Sequence, residues 1–246
     1  TVVGSDELTD AARIAARDGG TLVRAGHTEA SVDISRAAGL NPSAVICEIM
    51  NDDGTMARLP ELIAFAQFHN LKIGAIDELI AWRRVHERLV EKVAEAPFET
   101  RAGSGFKVVV FRNKLDGVEH VALVKGAISA DKATLVRVHR IDFAADVMGG
   151  YGTRAGLIDR AVAEIDAEGA GVVVLLRDLV PDVVSRRLSG EPLEFEEDDI
   201  RRVIGLGSQI LRELGVGRMN VLGAPQKIAG LDGYGLTIEG WREFMS

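Results

Sequence analysis

Short, unbroken apolar runs that alternate with helix-patterned stretches constrain this chain most. Ala44-Val45-Ile46-Cys47-Glu48-Ile49, Leu71 to Ile76 and Gly171 to Leu176 have strand length, and the first has the continuous apolar look of a strand covered on both faces. Between them Pro60 opens a helix running to Phe68, and Asp77 caps an amphipathic helix reaching about Leu89. Strand alternating with helix predicts βα units on a sheet, so the fold class expected is α/β (α+β).

Nearer the start, Ser5 caps a helix through about Arg17, and Thr21 to Arg24 reads as a strand. Ala30 to Ala38 is helical and stops at Gly39, a residue that accepts left-handed backbone. After Val90 the pattern changes. Lys107 to Arg112 and Glu119 to Lys125 form a predicted hairpin around Leu115-Asp116-Gly117. Further strands are predicted at Thr134 to His139 and Met219 to Leu222, with a helix at Leu157 to Ala167 and another from Asp198 to about Leu214. Pro97, Gly103, Ser104 and Gly105 place a linker over 91–105, between one domain at 1–90 and a second at 106–246.

Bulk properties exclude several function classes. A formal charge of −8 and a pI near 5.2 disfavour nucleic acid and anionic membrane surfaces as partners. Without an apolar stretch of spanning length or a signal-like start, a cytoplasmic protein is expected. The single cysteine, Cys47, fits a reducing compartment and cannot by itself form a multi-cysteine metal site. The sequence begins with Thr rather than Met, so the chain is expected to be part of a longer product.

One segment concentrates chemistry. Arg24-Ala25-Gly26-His27-Thr28-Glu29-Ala30 places a cation, an imidazole, a hydroxyl and a carboxylate at one strand-to-helix turn. Free amides at a helix start attract anions, arginine forks onto phosphate, and neutral imidazole ligates divalent metals. Taken alone, a capped turn with a surface histidine accounts for the same residues. Glu48 adds weight: a carboxylate within an apolar strand must face a polar cleft or have a firm partner. Asn51-Asp52-Asp53-Gly54 then lies beyond the C-terminal end of that strand, where open α/β sheets bind ligands.

Arg24 to Ala30, Val45 to Arg58, His69 to Ile73 and Asp77 to Ile80, taken together, resemble the closing part of 3,4-dihydroxy-2-butanone-4-phosphate synthase over roughly residues 20 to 84. The resemblance implies conversion of ribulose 5-phosphate to 3,4-dihydroxy-2-butanone 4-phosphate and formate with Mg²⁺ (or Mn²⁺), in a homodimer. It implies His27 as a metal ligand and catalytic group, Arg24 and Thr28 as phosphate-holding residues, and Glu48 as acid or base on the sugar. Glu29 and Asp52 would only orient the others. The acidic loop that supplies the family's other metal carboxylate has no counterpart in this sequence.

Leu135 to His139, Asp146 to Gly149, Gly207 to Val216 and Lys227 to Leu236 are similar to GTP cyclohydrolase II over roughly residues 106 to 238. That family holds zinc with three cysteines, and the resemblance puts Asp142, Thr153 and Ala155 in their places. No zinc and no GTP ring-opening are therefore expected. His120 and His139 are expected to be strand histidines with hydrogen-bonded rings. Two readings follow: a synthase with an inactive cyclohydrolase-like second domain, or a non-catalytic pseudoenzyme or regulatory and assembly protein of the same pathway.

Overall fold

The computed structural model describes residues 14–149, 155–177, 183–189, 197–226, 228 and 231–244. The chain divides into two compact units, Thr1–Glu87 and Arg88–Ser246.

The first unit holds a 3₁₀ turn, Gly20–Leu22, and helices α1 (His27–Ala37), α2 (Leu59–Phe68) and α3 (Ile76–His86). Helix α1 ends as its sequence predicts. Gly39 takes φ 72°, and the Gly39 and Leu40 amides donate to the Arg36 and Ser35 carbonyls. Helix α2 starts at Leu59, where the Glu61 carboxylate accepts from the Arg58 amide at 2.9 Å and Pro60 occupies a first-turn position that needs no amide donor.

Four expectations need correction in this unit. Residues 21–24 are not a strand: Gly19 and Gly20 take φ 87° and 61°, and the chain folds back so that Asp33 captures the Thr21 amide at 2.7 Å and its hydroxyl at 2.8 Å. A Cβ at Gly20 would run into the Asp33 carboxylate, so this turn requires glycine. Residues 44–49 and 71–76 form no ladder among the described residues; the nearest pairing is the single bridge Met50–Met56 around the Asn51-to-Thr55 turn. An extended segment is stable as a strand only beside a partner that takes its amides, and without one Val45 is left 89% exposed. Helix α3 begins one residue before Asp77 with no side-chain cap, because Asp77 already lies inside the first turn. The helix expected from Ser5 falls almost wholly outside the described residues.

The second unit is built on a seven-stranded mixed sheet ordered β1-β2-β3-β5-β4-β6-β7. The strands are β1 (Val90–Thr100), β2 (Gly103–Asn113), β3 (Glu119–Lys125), β4 (Ala133–Arg140), β5 (Gly171–Leu176), β6 (Arg218–Leu222) and β7 (Thr237–Arg242). The first three and the β3–β5 pair are antiparallel, whereas β5–β4, β4–β6 and β6–β7 are parallel. The expected 91–105 linker is instead an edge strand and its turn. Proline and glycine punctuate it, yet Pro97 is tolerated because an edge strand has one side free of ladder partners.

Helices α4 (Leu157–Glu168) and α6 (Glu197–Glu213) cover the sheet, and a short α5 (Val183–Leu188) lies between them in sequence. Leu135 and Val173 pack with Ala161, Val162 and Ile165 of α4. Val138 and Leu176, each an odd number of residues further on, face Gly207 of α6. Strand alternation therefore puts the two helices on opposite faces. Gly171 to Leu176 is buried on both sides as its apolar run predicts. Strand β7 carries no strand signal in its sequence, since Thr237-Ile238-Glu239-Gly240-Trp241-Arg242 has neither an apolar run nor clean alternation.

Candidate active site

Helix α1 opens on Gly26, whose extended backbone (φ −118°, ψ 155°) delivers His27, Thr28 and Glu29 into the first turn. Glu29 is fully buried. Its Oε1 accepts from the Arg17 amide at 3.1 Å and lies 3.5 Å from the Arg24 guanidinium. Burial pushes the Glu29 carboxyl upward, but the Arg17 amide, its own amide and the cations of Arg24 and Arg17 outweigh it and hold the group below its usual range. A Cβ at position 26 would approach Glu29 Oε2 to 2.5 Å, so glycine is what lets the carboxylate tuck under the turn.

With Glu29 folded inward, His27 is left facing outward. It lines a cleft of about 970 Å³ together with Glu48, and the remaining walls come from α1, residues 45–48 and the start of α3. Glu48 is exposed, so the polar-cleft alternative describes it and no burial penalty applies. Arg24 and Thr28 are not among the lining residues. Arg24 turns toward Glu29, with a side chain 54% exposed, and the Thr28 carbonyl accepts from the Ser31 hydroxyl at 2.8 Å. Of the four residues singled out in the sequence, the cleft thus brings together His27 and Glu48.

Glu78 and Trp82 line the same cleft one helical turn apart on α3, and Cys47 adjoins Glu48. Their i, i+4 spacing was the available signal for Glu78 and Trp82. Trp82 stacks on the His86 ring at 4.5 Å and an interplanar angle of 15°. The next residue on α3, Arg83, is only 5% exposed and donates to Asp33 at 2.7 Å, to Glu87 at 2.5 and 2.7 Å and to the Gly19 carbonyl at 2.8 Å. This buried arginine ties α3 to α1 and to the 3₁₀ turn. Among the described residues no group of three His, Cys, Asp or Glu side chains is placed to hold a metal ion. His27 with Glu48 falls short of a complete Mg²⁺ site.

In the second unit, Asp142 acts as a cap. Its Oδ1 accepts from the Ala144 and Ala145 amides at 3.1 and 3.2 Å, opening a five-residue π-turn, Phe143–Val147. Asp146 Oδ2 accepts from the Asp142 amide at 2.7 Å and from His139 Nε2 at 2.8 Å, the ring nitrogen being assigned as donor because a carboxylate only accepts. His120 Nδ1 accepts from the Arg177 amide at 3.2 Å. Burial pushes the His120 ring down, with the Asp116 carboxylate opposing and the Arg177 and Arg202 cations adding to the downward shift. Both strand histidines have hydrogen-bonded rings, as expected. Ala155 has no ligating atom, and Thr153 lies outside the described residues.

Comparison with known proteins places these two units. The GTP cyclohydrolase II family model matches residues 91–243, and the 3,4-dihydroxy-2-butanone 4-phosphate synthase model matches residues 12–82. A Pseudomonas aeruginosa protein named 3,4-dihydroxy-2-butanone 4-phosphate synthase is 43% identical over 91% of this chain and 62% of its own length. A Bacillus cereus riboflavin biosynthesis protein RibBA is 41% identical over 91% of this chain and 60% of its own. An Arabidopsis thaliana protein, monofunctional riboflavin biosynthesis protein RIBA 2, chloroplastic, is 46% identical over 91% and 48% respectively. Among solved structures, RibBX, a two-domain 3,4-dihydroxy-2-butanone 4-phosphate synthase from A. baumannii, matches with TM-score 0.63 and 36% identity, over 92% of this chain and 62% of that one. The chain spans about three fifths of the length of these bacterial relatives. The chain belongs to the GTP cyclohydrolase II family through its second unit and is fused, through its first, to a segment of the 3,4-dihydroxy-2-butanone 4-phosphate synthase family.

Proposed function

We propose that this chain carries the C-terminal part of a synthase domain that converts ribulose 5-phosphate to 3,4-dihydroxy-2-butanone 4-phosphate and formate in riboflavin biosynthesis. The supporting observation is that His27 and Glu48, which come from two separate motifs, line one cleft. The reaction balances without a co-reactant, since the five-carbon sugar phosphate becomes a four-carbon one and the departing carbon leaves as formate. Glu48, exposed to the cleft, takes and returns protons on the sugar as general base and acid. In this proposal the Arg24 cation and the Thr28 hydroxyl, near the start of α1 but outside the cleft lining, bind the phosphate. Mg²⁺ (or Mn²⁺) is the ion the synthase family implies, and His27 offers one ligand to it. The described residues do not complete that site.

The second unit is, in this proposal, an inactive cyclohydrolase-like domain. Support comes from Asp142, whose carboxylate is committed to two backbone amides, and from a chain with one cysteine, Cys47, outside this unit. The assembly proposed is a cytoplasmic homodimer, supported by large apolar side chains left open on the first unit, Val45 at 89% and Phe68 at 84%. A second reading, a non-catalytic protein of the same pathway, is favoured by the absence of a three-ligand metal cluster among the described residues. Incubating the chain with ribulose 5-phosphate and Mg²⁺ and assaying formate separates the two. Formate that disappears in Glu48→Gln supports the synthase; no formate at any protein concentration supports the second reading.

A further inference from the structure

Helix α2 is apolar on nearly every side and covered on few. Of its residues only Ala66 is buried, while Leu59 is 63% exposed and Phe68 84%. Leu59 and Phe68 are the first and last residues of the helix, and at about 100° per residue they fall on opposite sides of it. A helix that is apolar all round belongs in an interior, and one flat contact cannot cover both of these sides.

The stretches before and after α2 lack partners in another way. Among the described residues, the amides of 44–49 and 72–75 donate to no backbone carbonyl, although both stretches carry the apolar residues of strands. Val45, Ile46, Gly74 and Ala75 line one cleft, so the two stretches open onto a common space. Unpaired amides and carbonyls beside apolar side chains form a template on which further strands add.

We propose that this face takes a strand-bearing polypeptide from a separate chain, whose strands pair with 44–49 and 72–75 and whose apolar side chains cover Leu59 and Ile63. The occupant is the part of the synthase relatives that this chain does not match. The matches take in 62% of the Pseudomonas aeruginosa protein and 60% of the Bacillus cereus one, which leaves about two fifths of each. A second copy is not sufficient: in the homodimer it covers Val45 and Phe68, which leaves the Leu59 side of α2 and both sets of amides unmet. Naming this occupant rests on the synthase reading of the first unit. Its docking bears on that site, because pairing of 44–49 fixes the backbone that carries Glu48 at the cleft.

The full chain, tagged, is co-expressed with the unmatched part of the Pseudomonas aeruginosa protein, and the product is compared with the free chain by amide hydrogen exchange. The two polypeptides should co-purify, and exchange at 44–49 and 72–75 should slow at least about tenfold, while Val172 to Val174, already paired on both sides in β5, stay unchanged. Leu59→Asp combined with Ile63→Asp, both at exposed positions, should abolish co-purification and leave urea unfolding of the free chain unchanged. Formate production from ribulose 5-phosphate is assayed on the same samples. Slowed exchange without formate upholds the docking and counts against the synthase reading, whereas formate from the free chain without co-purification sinks the docking and keeps that reading. Failure to co-purify overturns the proposal, as does protection of 44–49 and 72–75 that arises in the chain alone as its concentration rises, which would assign the strands to a second copy.

Discussion

Replacing Arg83 by methionine keeps most of the apolar stem and removes the charge that holds α1, α3 and the 3₁₀ turn together. In the native protein Asp33, 3% exposed, is met by Arg83 at 2.7 Å and by the Thr21 amide and hydroxyl at 2.7 and 2.8 Å. Arg36 also approaches at 3.4 Å, but from a side chain 57% exposed. Without Arg83 the carboxylate stays buried with neutral donors and a distant, solvated cation. Breaking a buried pair by removing one partner costs about 3–5 kcal/mol. With a urea m-value of about 1–3 kcal/mol/M, the lower cost moves the midpoint down by about 1–3 M. Trp82 lies next in sequence, so its fluorescence in a Trp241→Phe background reports the first unit's transition. Arg36→Ala is the control, expected to cost no more than about 1 kcal/mol because that pair is solvated. Equal effects of the two substitutions, or a loss for Arg83→Met within about 0.5 kcal/mol, would refute the buried-pair reasoning.

Three further outcomes are expected. Glu29 is held below its ordinary value of 4.5 in the folded protein, so its stabilising share is present above that value and is lost as pH falls through the lower, folded one. Glu29→Gln should flatten the stability profile on the acid side of pH 4.5, measured by thermal denaturation, and an unchanged acid limb would count against the Arg17 and Arg24 contacts. Gly20→Ala should destabilise the first unit by at least about 1 kcal/mol, since φ 61° and the Asp33 carboxylate both oppose a Cβ; a neutral result in urea denaturation would mean the turn is misassigned. Asp142→Ala should cost about 1 kcal/mol through the lost cap and leave the bound zinc, measured by elemental analysis, at background; a fall in zinc content would make Asp142 a ligand.

The sequence made the second unit's framework legible, because its strands pair within the chain and their apolar runs therefore report true burial. Gly171 to Leu176 was placed to the residue for this reason. In the first unit residues 44–49 and 71–76 look like strands in sequence, but their apolar character has no neighbouring strand to answer it among the described residues. Pro97 and Gly103 to Gly105 suggested a linker because edge strands tolerate the residues that usually mark loops. For the site, motif order identified His27 and Glu48, which share the cleft. Composition and spacing could not show that Glu29 turns inward, drawing Arg24 toward it, since that depends on the contact with the Arg17 amide 12 residues earlier. Asp33 and Arg83 were invisible for a similar reason: each looks like an ordinary surface charge until their separation of 50 residues is closed.

Proton exchange on the substrate tests the role of Glu48 most directly, because it reports the first proton abstraction whether or not formate is released. The chain is incubated with ribulose 5-phosphate and Mg²⁺ in D₂O, and loss of the carbon-bound proton is followed by ¹H NMR. The expected result is enzyme-dependent deuterium incorporation that falls by about 10²–10⁴ in Glu48→Gln. Exchange no faster than in buffer, or exchange that Glu48→Gln leaves intact, would contradict the assignment of this cleft as the synthase site.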